Sequence, residues 1–175
     1  MVESFAVKLT IDFLIVAILI SITYSDFKFR KIVLWQVISL LILFVISGLT
    51  SVSPINLLEI TVTNLLIVFC QLLFVQLWFF ARERRFKSIF DNKIGIGDFF
   101  FFGLLSIYFG SINLIIFLIL SLSLIALITL VLKVFNYINQ SIPLAGYWSS
   151  FITLLIICKY LFGVENYYEP LFQIS

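Results

Sequence analysis

A chain of 175 residues that is 63% hydrophobic, 18% aromatic and only 11% charged is not a soluble globular domain, where about 25% of residues carry charge. Its net charge of +2 gives nucleic-acid binding no electrostatic basis. Histidine is absent and Cys70 and Cys158 lie singly inside apolar runs, so a histidine-based triad, a histidine-ligated metal and a zinc site are excluded.

The remaining class is an all-α polytopic membrane protein of about six transmembrane helices, forming a single domain over residues 1–175. The two thiols read as packing residues. The first apolar run lacks a basic flank and a small-residue cleavage site, so it is expected to be retained as a helix. Span one is expected over Leu9 to Tyr24, with Asp12 as an interfacial carboxylate near its outer end. A short loop, Ser25-Asp26-Phe27-Lys28-Phe29-Arg30-Lys31, leads to span two over Ile32 to Ile46. Span three is expected over Leu57 to Phe80. Its polar residues Asn64, Gln71 and Gln76 are expected to hydrogen-bond to neighbouring helices.

The segment Ala81 to Lys93 is the most basic in the chain and precedes Gly95-Ile96-Gly97-Asp98 and four phenylalanines. From Asp98 to Phe135 the chain is too long for one span. A turn at Gly110-Ser111 makes span four short, Asp98 to Phe109; a turn near Ser121 is the other choice. Span five ends at Lys133 to Phe135, and span six is expected over Tyr147 to Leu161. No internal repeat is visible.

Lysine and arginine crowd the loops after spans one and three, and Lys133 ends span five. The positive-inside rule makes those loops cytoplasmic and turns both termini outward. Lys8 and Lys159 run against the pattern and are expected to snorkel. Asp26, ending span one, and Asp98, opening span four, then fall at the same depth on different helices. An acid at the edge of an apolar span is costly and marks a functional site. Two carboxylates side by side share a proton, so one can act as base on a water while the other donates to a carbonyl oxygen. Gly95 and Gly97 would let a substrate lie close beside Asp98. Three readings stay open on these residues alone: a catalytic pair, a proton- or ion-translocating pair, and structural acids. As structural acids, Asp98 would cap span four and Asp26 would pair with Arg30 or Lys31.

Gly95-Ile96-Gly97-Asp98 resembles the Gly-x-Gly-Asp motif of the GxGD intramembrane aspartic proteases. Within that class the chain is most similar to the prepilin peptidases, or type IV leader peptidases. Asp26-Phe27-Lys28-Phe29-Arg30-Lys31-Ile32 resembles their first aspartate motif, and Pro143-Leu144-Ala145-Gly146-Tyr147 their proline-bearing entry to the last span. The similarity runs from about Leu9 to Leu161. It implies an aspartic endopeptidase with Asp26 and Asp98 catalytic, Gly95, Gly97 and Pro143 supporting, and neither metal nor cofactor. The substrate it implies is a prepilin-like protein with a short basic leader, cut at the cytoplasmic face of the cell membrane. The paired-cysteine domain of the bifunctional members has no counterpart here, which implies a peptidase alone.

Val33-Leu34 stand where the family often has Pro-Asn, Gly146 where it often has a second proline, and Phe100 where a lysine is common. The last departure leads to the expectation that an apolar Phe100 raises the pKa of the shared proton. A small coupled transporter and a structural subunit of a pilus or secretion apparatus are the alternative functions.

Overall fold

The computed structural model describes residues 2–83, 96–134, 143–162 and 168. The described residues form six α-helices: α1 (Val2–Phe29), α2 (Leu34–Leu49), α3 (Pro54–Glu83), α4 (Ile96–Tyr108), α5 (Ser111–Val134) and α6 (Leu144–Phe162). There is no strand among them. Stretches within α1, α3, α5 and α6 are long and apolar enough to cross a membrane; Leu34–Leu49 and Gly97–Tyr108 are shorter apolar helices. By length and composition this is a membrane-embedded protein.

The buried residues of α1 are Ile11, Asp12, Ile15, Leu19, Ile22, Ser25 and Asp26. Their spacing of three and four is one helical stripe, and it does not break at Tyr24. The expected end of span one there is corrected. Ser25 returns its hydroxyl to the Ile22 carbonyl at 3.1 Å, so the helix continues and carries Asp26 inward. Helix α1 ends only at Arg30, whose φ of 55° is left-handed and whose N–H bonds to the Asp26 carbonyl at 3.0 Å. A non-glycine residue there stores about 1–2 kcal/mol of strain and turns the chain sharply out of the helix.

Helices α1 and α6 make the most extensive pair and run antiparallel. Asp26 faces Gly146, Thr23 faces Ser149 (Oγ1 to Oγ 2.7 Å), and Asp12 faces Lys159 and Tyr160. These pairs hold a single register along the whole contact. Asp12, expected as an interfacial carboxylate, is paired inside the helix contact. It is buried, with Oδ2 accepting from Lys159 Nζ and from the Tyr160 hydroxyl, both at 2.6 Å. Lys159, expected to snorkel, has a side chain only 13% exposed and ion-paired to Asp12.

Short helix α4 lies inside the bundle. The turn falls at Phe109-Gly110, the earlier of the two expected places, and leaves 13 residues, about 20 Å of helix. A helix that ends among buried groups must find donors for its last carbonyls. Asn64 of α3 supplies two, its Nδ2 reaching the carbonyls of Ser106 (2.9 Å) and Phe109 (2.7 Å). Tyr168 supplies a third, to Ile107 at 2.8 Å; burial pushes its phenol up, so it remains a neutral donor. Asn64 thus bonds to a neighbouring helix, as expected. Its own Oδ1 is buried with no donor among the described residues.

Aromatic rings fill the space around α4. Phe101 and Phe102 pack on Trp148 of α6, with centroids 6.2 and 4.5 Å away. Towards the other end Phe44 stacks on Tyr108 and Phe109 on Phe117, the two pairs joined edge-to-face between Tyr108 and Phe109. Pairs of this kind contribute about 0.5–1.5 kcal/mol each beyond simple burial. Trp148 also donates its indole N–H to Ser121 at 3.1 Å, which ties α6 to α5.

Replacing Asn64 with leucine removes the donor from two buried carbonyls. We expect thermal unfolding in detergent to show a loss of about 1–2 kcal/mol, with α4 the segment that gains amide hydrogen exchange.

Candidate functional site

Asp26 and Asp98 end the inward stripes of their helices. Asp98 lies in the first turn of α4, three and four residues before the buried Phe101 and Phe102. Asp26 follows Ile22 by four on α1 and is 7% exposed. The two stripes face α6, and both carboxylates meet its N-terminus. Ala145 donates its backbone N–H to Asp98 Oδ1 at 3.0 Å; the next residue, Gly146, donates to Asp26 Oδ2 at 2.6 Å. Successive Cα atoms are about 3.8 Å apart, so carboxylates far apart in sequence are brought to one spot. The positive end of the α6 dipole and its uncommitted first-turn amides favour negative charge there.

Gly146 makes this approach possible. A Cβ at that position would meet Asp26 Oδ2 and the Phe27 ring, each at 3.0 Å. Pro143 is buried just before α6, and its carbonyl accepts the Tyr147 N–H at 3.2 Å, so it starts the helix that presents the two amides. Phe27 meets the Tyr147 ring edge-on at 5.0 Å beside the pair.

Gly97 plays a different part from the one expected. It sits within α4, where a Cβ would come within 2.8 Å of Ile32 Cδ1. Its missing side chain leaves room for Ile32. Gly95 and residues 84–93 of the basic segment lie outside the described residues. Phe100 follows Asp98 by two and so points to the far side of α4. It is half-exposed, in an apolar groove with Val62, Leu65 and Leu66 of α3. The expectation that Phe100 sets the environment of the shared proton therefore loses its physical basis.

The largest omission in the sequence reading is Gln36, which is buried. Its Oε1 accepts from the Val33 N–H (3.0 Å) and the Ser25 hydroxyl (3.3 Å), and its Nε2 donates to Ser21 Oγ (2.8 Å). One side chain thus closes the α1–α2 turn and fixes the last turns of α1, where Asp26 sits. Two signals were present: a lone amide in the apolar run of α2, and serines four apart on α1. The backbone amides of Ala145 and Gly146 leave no side-chain signal at all.

Among the described residues no group of three or more histidine, cysteine, aspartate or glutamate side chains is placed to hold a metal. Chemically, two carboxylates at one helix N-terminus form a general acid–base pair or a double N-cap. Comparison with family models, with curated proteins and with solved structures finds no match to this chain.

An asparagine side chain accepts the same amide hydrogen bond as aspartate. Asp26→Asn and Asp98→Asn are therefore expected to unfold within about 1 kcal/mol of wild type in detergent. The corresponding alanine variants, which leave an α6 amide bare, should lose about 0.5–2 kcal/mol.

Proposed function

We propose that this chain is a membrane-embedded aspartic endopeptidase, similar to the prepilin peptidases, and that Asp26 and Asp98 are its catalytic pair. The meeting of these two carboxylates at adjacent amides of α6 supports the reading best. Either acid alone would be a helix cap. Two on separate helices, bonded to adjacent amides and flanked by apolar side chains, are placed as a pair sharing a proton would be.

In this reading one carboxylate takes a proton from water as the water oxygen bonds to the scissile carbonyl carbon. The protonated partner donates to the carbonyl oxygen. When the tetrahedral intermediate collapses, the peptide C–N bond breaks, and the departing amine takes a proton from the acid that had received the water's. The first-turn amides hold the carboxylates in place through both steps. All six helices would span, α2 and α4 as short crossings, with the basic connections on the cytoplasmic side. The substrate would be a prepilin-like protein with a short basic leader and an apolar helix, cut at the cytoplasmic boundary of the cell membrane.

The double N-cap is the one competing role that a specific observation favours, since the same two hydrogen bonds would serve it, as in a structural subunit of a pilus or secretion apparatus. Coupled ion transport has less support. From Asp12 to Ile22 the buried stripe of α1 is apolar, Ile15, Leu19 and Ile22, with no further ionisable group in it.

Asparagine variants separate catalysis from capping. With a prepilin-like substrate in proteoliposomes, Asp26→Asn and Asp98→Asn should each slow leader removal, read as a gel mobility shift, by about 10²–10⁴-fold. Processing at the wild-type rate by either one would leave the capping role alone standing. Phe100→Lys, on the far side of α4, should cleave with the pH dependence of wild type; a displaced profile would return Phe100 to the site.

A further inference from the structure

Two apolar hollows flank α4, with Phe102 and Leu72 shared between their walls. The groove against α2 and α3 is lined on the α4 side by Phe99, Phe100, Phe102, Gly103, Leu104 and Ile107, of which Phe100, Gly103 and Ile107 are turned furthest from Asp98. The second hollow, of about 520 Å³, lies between α3 and α5. Its walls include Cys70, Gln71 and Phe74 of α3 and Leu122 of α5; Phe102 and Leu144 close its inner side. Phe102 stands one turn beyond Asp98 on the same face of α4. Leu144 immediately precedes Ala145, whose N–H holds the Asp98 carboxylate. The α3–α5 hollow therefore adjoins the carboxylate pair.

Its size is that of a small-ligand site, and its lining has the usual composition: apolar, with one placed polar group. That group is Gln71. Its half-buried amide has no hydrogen bond to another described residue, although the cavity around it is apolar. An amide in such surroundings is satisfied by a ligand that brings its own donor and acceptor. Extended peptide backbone brings both, and an apolar side chain beside it fills the rest of the space.

We propose that the α3–α5 cavity binds the substrate segment immediately following the scissile bond: the apolar side chains occupy the cavity and Gln71 bonds to the substrate backbone. The assignment rests on the peptidase reading. Here α5 touches α3, α4 and α6 only along short stretches, so the gap between α3 and α5 gives a membrane-bound segment a lateral way to the carboxylates. Size discrimination after the cut is then set by Leu122 and Phe102.

Cys70 makes the cavity directly testable. The probe is a synthetic peptide with a short basic leader, a glycine before the cut and an apolar helix after it. It carries one cysteine at each of the first four positions past the cut in turn. In proteoliposomes, a Cys158→Ser/Asp98→Asn protein, arrested before cleavage, should form a disulfide through Cys70 at one or two of these positions under mild oxidation, since bridging needs Cα atoms about 4.4–6.8 Å apart. A Cys70→Ser/Cys158→Ser/Asp98→Asn/Leu66→Cys protein, which moves the thiol to the α2–α3 side groove, should not. In the active enzyme, Leu122→Phe should cut the preference for leucine over alanine after the scissile bond by about tenfold or more. Cross-linking through position 66 alone, or a preference unmoved by Leu122→Phe, overturns the cavity while leaving a cleaving enzyme intact. Failure of the wild type to cut the probe overturns the peptidase reading, and this assignment with it.

Discussion

The first amides of a membrane helix have no water to bond to and no carbonyl ahead of them in their own helix. Helix α6 meets this constraint with side chains from elsewhere: Asp98 at Ala145 and Asp26 at Gly146. Much of the fold follows from that need. Helix α1 has to run on past Ser25 to deliver Asp26, and Gly146 has to lack a side chain to receive it. Helix α4 has to begin beside α2, which Gly97 permits by making room for Ile32. The arrangement that satisfies a helix end also assembles a pair of acids.

The far end of the α1–α6 pair is held by a different device. Asp12, Lys159 and Tyr160 form a buried ion pair with a phenol donor. Such pairs repay their desolvation only with good geometry, and their clearest use is to specify register. Register is what this pair requires. A slip of one residue along α6 would carry Gly146 away from Asp26 and place Tyr147 or Ala145 there instead.

Composition made the helical membrane class plain, while the turn after α4 stayed open between Gly110 and Ser121, because Gly103, Ser106, Gly110 and Ser121 all interrupt the same apolar run. Asp26 and Asp98 were legible as costly acids at the edges of apolar segments. Their common destination was not, since backbone amides carry no residue-type signal. Ser25-Asp26 was misread as the start of a loop because polarity was taken to mean exposure; both residues lie on the buried face. The pairing of Asp12 with Lys159 was missed for a related reason. Each is interfacial when considered alone, and only the antiparallel register, linking positions 147 residues apart, makes them partners.

Helix α4 is held at both ends by groups from other parts of the chain. Asp98 ties its start to α6, while Asn64 and Tyr168 tie its last turn to α3 and to the segment beyond α6. Between them lie only about 20 Å of packed helix, too short to bend appreciably. It behaves as a strut rather than as an independent span. The position of the Asp98 carboxylate is therefore set from both ends of one 13-residue helix, by the α6 amide at its start and by the groups that hold its last turn.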